Sequence, residues 1–333
     1  MPASLSPRAL MALTAAFIVA VFIFAGVYTG TQHNPTPHQL RVGIVAPDLM
    51  VGMINMGLKA KAPGSFALKQ YPSEESLTSA IKDRKTYGGY VYRKDSGLLL
   101  TASASGRATE KALVSLGEEV SKTLKQPLET MDVVALDSHD SQGLSSYTFQ
   151  YGLLVPSFFF AVLLFLFGHG LSLPWRLGLS AAYSLGAGIL GALTVGQIVG
   201  ALPHHFFVLA ALGTLYAAMT VLVTYGLCRV LSFVGLALAT LLLILVGNST
   251  AGGSINQEFL PDFYRGIGQV LPNGPFIRSV RDTVYFDSAN THQAILVVAL
   301  WALGGLALVL AGEKVSGLWA RLKRSKAAPA PSA

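Results

Sequence analysis

Charged residues are scarce in this sequence, and cysteine is almost absent. Asp, Glu, Lys and Arg make up 12% of the 333 residues, whereas soluble domains carry about 25%. The single cysteine, Cys228, cannot form an intrachain disulfide, and its apolar surroundings predict a packed, inert thiol. Hydrophobic residues make up 52% of the chain and gather into long runs. These features predict an integral membrane protein.

Motifs for catalysis and energy coupling are also missing. The sequence contains no GxxxxGK[ST] phosphate-binding loop, and its apolar runs lack the acids and lysines that ion-coupled carriers place in their spans. His33, His38 and His139 lie in linker-like segments, where we interpret them as solvated residues, with metal binding as the alternative. The net charge of +7 is not gathered into a basic patch with aromatic residues. We therefore predict no enzyme activity, no cofactor, no metal site and no nucleic-acid partner.

Six apolar runs are long enough to cross a bilayer, which takes roughly 20 residues. They cover residues 9–29, 150–168, 176–201, 205–229, 232–249 and 293–312. The first is interpreted as a retained signal anchor and not a cleaved signal peptide, because its apolar run is too long and the sequence that follows offers a poor cleavage site. The predicted fold is a six-helix α-helical transmembrane bundle with an extracytoplasmic α/β domain inserted between span 1 and span 2.

This fold divides the chain into four parts. They are a cytoplasmic N-terminus and transmembrane anchor (1–29), the extracytoplasmic α/β domain (30–149), a five-span bundle (150–312) with an outer amphipathic loop (250–292), and a basic cytoplasmic tail (313–333).

Basic residues in short loops set the orientation of a membrane protein. One side of the predicted bundle carries Arg8, Arg176, Arg229, Lys314, Arg321, Lys323, Arg324 and Lys326. The short loops of the other side carry Arg265, Arg278 and Arg281. This balance predicts a multi-pass protein of the plasma (cell) membrane with both termini in the cytoplasm. The basic tail predicts contact with anionic lipid.

Residues 30–149 alternate between strand-like and helix-like runs. A strand at 41–47 and a helix at 48–60 come first. From Phe66 onward the order is β-α-β-β-α-β, which is the split βαβ pattern. A segment of this length can bury a core without disulfides.

Gly196 and Gly200 form a GxxxG pattern within the third span, which predicts close helix packing. Gln197 lies between them. Its amide is predicted to bond a neighbouring helix, with contact to a substrate as the alternative.

The outer loop before the last span holds two amphipathic helix candidates. Pro261 suits the first turn of a helix, and the LPNG sequence at 271–274 suits a turn. Arg278 and Asp282 have i,i+4 spacing, which predicts an ion pair. We predict a re-entrant or interfacial hairpin that caps the bundle, either as an outer gate or as a packed structural lid. The candidate gate residues are Tyr264, Arg265, Arg278, Arg281, Asp282 and Tyr285.

The same loop carries a resemblance to a known family. The residues that carry it are Leu260, Pro261, Tyr264, Arg265, Gly268, Leu271, Pro272, Gly274, Arg281, Tyr285 and Phe286. Together with the segments AIKDRKTYGGYVY and LLLTASASG, they resemble ABC-2-type permease-like membrane proteins, in particular the phage-infection-protein (YhgE/Pip) group. The resemblance implies a six-helix permease half that forms a homo- or heterodimer and is driven by a separate ATP-binding subunit.

Two functions are therefore predicted. The first is an exporter-like (ABC-2-type) permease subunit that moves an amphipathic, drug-like or envelope compound with energy from a separate ATPase. The alternative is a non-transporting receptor, scaffold or secretion-accessory protein that acts through its outer domain. The very short inner loops, around 169–175 and 229–232, offer little surface for an ATPase and favour the alternative.

Overall fold

The structure is a computed structural model of the chain. It describes residues 6–33, 35–289 and 291–327, without the side chains at 8–10, 12–13, 16–17, 20 and 315–327. Most of the predicted tail at 313–333 therefore lies outside the described side chains, and its contact with lipid stays a prediction.

A mixed five-stranded sheet follows the first helix. Its elements are β1 (Leu40–Val45), α2 (Asp48–Lys61), β2 (Phe66–Gln70), α3 (Glu74–Lys82), β3 (Gly89–Tyr92), β4 (Gly97–Thr101), α4 (Arg107–Leu124) and β5 (Leu128–Asp132). The strand order is β2-β1-β3-β4-β5, with β3 and β4 antiparallel and the other pairs parallel. We call residues 40–136 the sheet region. Its elements occur in the order that the sequence predicts.

Both faces of the sheet are covered. Leu40, Val42 and Ile44 alternate along β1 and point to one face, because successive strand residues point to opposite sides. They pack there with residues of α2 and α4, including Leu113. On the other face, α3 supplies Leu77 to a second core. The sheet region therefore has two apolar cores, one on each side.

The remaining helices form a bundle. They are α1 (Pro7–Gln32), α5 (Ser145–Phe167), α6 (Leu173–Leu193), α7 (Phe206–Leu231), α8 (Phe233–Ser249), α9 (Asp262–Val270), α10 (Asn273–Tyr285) and α11 (Thr291–Ala327). Four described stretches are long and apolar enough to cross a membrane, which identifies the chain as a membrane protein: Ser145–Gly170, Leu173–Ile198, Phe206–Leu231 and Thr291–Lys314. The apolar helix α8 is shorter. Part of the predicted first span lies outside the described side chains, so the count of six spans stays a prediction.

Glycines bring the central helix α7 close to its neighbours. A Cβ added at Gly188 of α6 would lie 2.4 Å from the backbone nitrogen of Thr214. A Cβ added at Gly305 of α11 would lie 2.6 Å from the backbone nitrogen of Val223. Only glycine fits at such contacts, and this close approach of backbones is typical of membrane helix pairs.

The close packing predicted at Gly196 and Gly200 is not found between helices of the described chain. Gly196 lies in a π-helical segment, Thr194–Ile198, and Gly200 adopts a φ of +73° beyond it. A Cβ at Gly200 would meet no described atom within 4 Å. The helix is π-helical at Gly196 and has ended before Gly200, and the tight contact of this span lies at Gly188 instead.

One end of the bundle carries a compact ionic cluster. Glu313 of α11 pairs with Arg176 of α6 at 2.6 Å and with Arg229 of α7 at 2.9 Å. Arg176 also donates to the Tyr225 hydroxyl at 2.7 Å. Two basic residues that the sequence assigns to the cytoplasmic side thus share one partner, which ties three helices together.

Helices α9 and α10 form a hairpin, residues 262–285, that enters the bundle. The Phe276 ring of α10 stacks on Tyr216, with ring centroids 4.3 Å apart. Tyr216 lies ten residues after Phe206, the first residue of α7, which is about 15 Å along the helix. At the tip of the hairpin, the Asn273 amide donates to the Leu243 carbonyl at 2.9 Å. The hairpin therefore packs into the bundle, and its position relative to a membrane, re-entrant or interfacial, stays a prediction.

Candidate functional site

Residues on either side of the hairpin complete the two apolar cores of the sheet region. Phe259, just before the hairpin, is 3% exposed and packs in the core under α2 and α4. Phe286, just after the hairpin, is also 3% exposed and packs in the core under α3. The two ends of the hairpin are therefore held on opposite faces of the same sheet. We call the polar contacts between them the junction.

A buried carboxylate lies at the centre of the junction. Asp282 of α10 is 1% exposed and pairs with Arg84, which follows α3, at 3.1 Å from Nε. Neither oxygen of Asp282 has a well-aligned hydrogen bond to a described group. Burial raises the pKa of Asp282, and the attraction of Arg84 and two further arginines only partly opposes this. The Arg84 guanidinium also lies 4.4 Å from the centroid of the Phe286 ring.

The predicted ion pair between Arg278 and Asp282 is wrong. Arg278 donates to Gln257 Oε1 at 2.8 Å, and the described ion pair of Asp282 is the one with Arg84. Helical spacing made the pair available, but each side chain has a closer partner on another segment. Such long-range partners cannot be read from spacing within one helix.

Arg281 is buried and bonds to backbone carbonyls. Its Nη1 lies 3.4 Å from the Ser105 oxygen, and its Nη2 lies 3.2 Å from the Gly143 oxygen. Burial and the nearby Arg84 both lower the pKa of Arg281. The Asn256 amide donates to the same Ser105 carbonyl. Arg281 thus fixes α10 to two loops of the preceding chain.

Tyr285 connects the end of the hairpin to the start of α5. Its hydroxyl donates to Asp140 Oδ2 at 3.1 Å. The other oxygen of Asp140 accepts from the backbone nitrogens of Leu144 and Ser145, each at 3.0 Å. Asp140 therefore satisfies amide groups at the N-terminus of α5, which is the usual role of a capping carboxylate.

A polar cleft opens beside these contacts. Its volume is about 650 Å³, which is in the range of small-molecule sites. The lining residues that the following argument uses are Arg41, Arg84, Tyr87, Glu258, Arg265 and Arg278. A smaller cavity continues from it along α10 as far as Gly274.

Several charges of the cleft are already paired. Arg265 donates to Asp262 at 2.8 Å and to the His38 carbonyl at 2.9 Å. The Tyr87 hydroxyl donates to Glu258. Burial and the neighbouring Glu258 both raise the pKa of Tyr87, so this phenol remains protonated and remains a donor.

The structure divides the six candidate gate residues into two groups. Arg265, Arg278 and Asp282 line the cleft, and Arg281 lines the smaller cavity. The other two lie elsewhere. Tyr264 packs at Gly30 of α1, where an added Cβ would lie 3.1 Å from its hydroxyl, and Tyr285 bonds to Asp140.

Sequence analysis missed the contribution of the sheet region to this site. Arg41, Arg84 and Tyr87 belong to it, and they meet α10 across about 200 residues of chain. Arg84 lies two residues after the end of α3 and has a φ of +60°. A non-glycine residue in this conformation is uncommon, but the sequence alone does not reveal it.

Other side chains of types that can take part in catalysis or metal binding have structural roles. Ser103 Oγ donates to Asp132 Oδ2 at 2.5 Å, and no described histidine completes a catalytic set with this pair. His139 bonds to Asp137, which caps the same short turn. Within the described residues, no group of three His, Cys, Asp or Glu side chains is placed to hold a metal ion.

No protein-family model, no curated protein and no solved structure matches the chain. The resemblance to ABC-2-type permeases therefore stays a prediction. The chain is identified by its apolar helices as a membrane protein.

Proposed function

We propose that the chain is an exporter-like, ABC-2-type permease subunit of the plasma membrane. It works as a dimer with both termini in the cytoplasm and takes its energy from a separate ATPase. The compound it moves is amphipathic, drug-like or part of the cell envelope. The cleft at the junction is the outer end of its path, and the hairpin gates it.

The observation that carries this proposal is the double attachment of the hairpin. Its apolar face, including Phe276 and Val280, is buried in the bundle core. Its polar face, including Arg281 and Asp282, is buried against the sheet region. A displacement of the hairpin must therefore change both the bundle and the cleft. Transport needs this kind of coupling between two arrangements.

The ionic cluster at the other end of the bundle marks where an ATPase would have to bind under this proposal. Arg176, Arg229 and Glu313 join α6, α7 and α11 where the predicted inner loops meet. The connections at this end are short: α5 and α6 are joined by 168–172, and α7 and α8 by Ser232 alone. An ATPase would therefore bind to a small, rigid surface formed by helix ends.

The test is purification of the tagged full chain from its native membrane in mild detergent, with bound proteins identified by mass spectrometry. A stoichiometric ATP-binding subunit, lost when Glu313 is replaced by Gln and retained when the exposed Glu119 is replaced by Gln, supports the proposal. Absence of any ATPase, together with unchanged accumulation of compounds in a deletion strain, refutes it.

A receptor or scaffold is the second candidate, and one surface favours it. An apolar groove of about 510 Å³ lies between α2 and α4. Met53 on its wall is 51% exposed, and Met56 of the same helix is 67% exposed. Methionine-rich surfaces adapt to protein partners. If the full chain captures an envelope or secreted protein, and Met53→Lys abolishes this capture while Met131→Lys does not, the scaffold becomes the better account.

A further inference from the structure

The cleft contains more positive charge than its own carboxylates neutralise. Four arginines line it, against the three carboxylates of Glu258, Asp262 and Asp282. Arg84 is committed to Asp282, and Arg265 is committed to Asp262. Arg41 and Arg278 make no ion pair with any carboxylate that the structure describes.

These two arginines are nevertheless held in place. The Arg41 guanidinium lies over the Tyr87 ring, 5.2 Å from its centroid. Arg278 is held by its single hydrogen bond to Gln257, at 2.8 Å from Nη2. Each keeps further N–H groups for another acceptor, since a guanidinium has five donors. Arginines fixed in this way lose little conformational entropy when they bind an anion.

Neutral donors complete the lining. Gln39, Gln269 and Gln293 face the cleft, and their side-chain amides form no hydrogen bond with any described group. A site with two available guanidinium groups and three available amides suits a ligand group with several oxygens and a negative charge. A phosphate group has this chemistry.

The surface beside the cleft is apolar. Helix α9 turns Arg265 and Gln269 toward the cleft. Its opposite face carries Phe263 and Val270, which are 72% and 64% exposed. A ligand with a charged head and an apolar body can therefore place its head in the cleft and its body along α9.

We propose that this cleft binds the phosphate group of an anionic amphipathic compound, with Arg41 and Arg278 as its ligands. The inference rests on the proposed function in one respect, since it names the chemical class of the compound that the permease takes. The binding step itself needs neither an ATPase nor transport.

Calorimetric titration of the purified full chain in uncharged detergent tests this site. The probes are dihexanoyl phosphatidylglycerol, inorganic phosphate and, as a phosphate-free control, dihexanoylglycerol. We expect a phosphate-bearing probe to bind, and Arg41→Gln and Arg278→Gln to weaken its binding about tenfold each, the effect of one lost charge-assisted hydrogen bond. Arg93→Gln is the matched control, because Arg93 is 43% exposed and pairs with Glu74 away from the cleft.

The probes also separate two sources of the phosphate. Binding of the lipid alone identifies a lipid headgroup, whereas equal binding of inorganic phosphate identifies a soluble phosphate compound. The inference is overturned if neither binds, if the phosphate-free control binds equally well, or if Arg41→Gln binds like the wild type. Arg41 is exposed, so its replacement leaves the fold intact even if Arg278→Gln does not.

Failure of this inference and failure of the proposed function give different results. If binding depends on Arg41, but no ATPase is purified and compound accumulation is unchanged in a deletion strain, the binding site is supported and the transporter is refuted. If an ATPase is present in the complex but no phosphate probe binds, the proposed function is supported and the phosphate site is refuted.

Discussion

In the helix bundle, glycines bring the backbones of separate helices into contact, whereas in the sheet region glycines make room for side chains that lie over the strands: an added Cβ would lie 2.2 Å from Leu77 at Gly43 and 2.1 Å from the Tyr90 hydroxyl at Gly97. Gly188 and Gly305 let the backbones of neighbouring helices touch α7. In the sheet region, Leu77 and Leu113 fill the space between sheet and helices. A bilayer offers helices no gain from hiding apolar surface from water, so close backbone packing replaces it. Glycine thus joins separate helices in the bundle and accommodates overlying side chains in the sheet region.

The stretch from 259 to 286 contributes buried side chains to both regions. Phe259 and Phe286 fill cores of the sheet region, while Phe276 fills the core of the bundle. Neither region is therefore complete without the stretch from 259 to 286. The following predictions test this comparison, from the largest expected effect to the smallest.

Phe286→Ala is expected to have the largest effect. It removes a buried ring from the core under α3, and such truncations cost about 3–5 kcal/mol. We expect the sheet region to unfold at lower denaturant concentration than the bundle, which circular dichroism and tryptophan fluorescence can follow separately. Phe263→Ala is the matched control, since Phe263 is 72% exposed. A single unshifted transition in Phe286→Ala would contradict the shared core.

Gly305→Ala is expected to destabilise the bundle by about 1–3 kcal/mol, because its Cβ would lie 2.6 Å from the backbone of α7. The adjacent Gly304→Ala is the control, since a Cβ there meets no described atom within 4 Å. Alanine is otherwise favoured over glycine in a helix by about 0.5–1 kcal/mol. The two variants should therefore shift the melting temperature in detergent in opposite directions. Equal shifts would show that α7 and α11 do not touch at this point.

Asp282→Asn is expected to stabilise the protein at neutral pH. The raised pKa of Asp282 means that its charged form is less favourable in the folded chain than in the unfolded one. The protonated Asp282 carboxyl therefore contributes to stability fully at a pH below its pKa in the unfolded chain. This contribution is lost as the pH rises through its pKa in the folded chain. The melting temperature of the variant should exceed that of the wild type at pH 7.5, and the difference should shrink toward pH 4.5. A variant that melts lower at pH 7.5 would mean that the attraction of Arg84 outweighs desolvation.

Glu119→Gln is expected to leave the melting temperature unchanged. Lys61 and Glu119 pair between α2 and α4, but their side chains are 67% and 45% exposed. The hydrogen bond from Lys61 lowers the pKa of Glu119, yet exposed pairs contribute little to stability because water and salt screen them. Melting curves at low and high salt provide the check. A clear drop in the melting temperature of the variant at low salt alone would mean that this pair contributes more to joining the two helices.

Local patterns predicted much of this fold, and contacts between distant segments explain what they missed. The predicted helix at 48–60 is observed as Asp48–Lys61, and the predicted turn at 271–274 forms the tip of the hairpin. The partner of Asp282 was wrong because Arg84 lies 198 residues away in sequence. The GxxxG pattern of Gly196 did not reveal that its helix becomes π-helical there and ends before Gly200. Periodicity reports local structure, whereas the site depends on how separate segments meet.

The positions of Phe259 and Phe286 have a consequence for the order of events during synthesis. The last strand of the sheet ends at Asp132, and Phe286 follows 154 residues later (286 minus 132). At about 5–20 residues per second, this is a delay of roughly 8–30 s. During that interval the sheet region has a gap on each face, and its apolar interior is accessible to chaperones. The sheet region is thus synthesised early, but its cores are completed late.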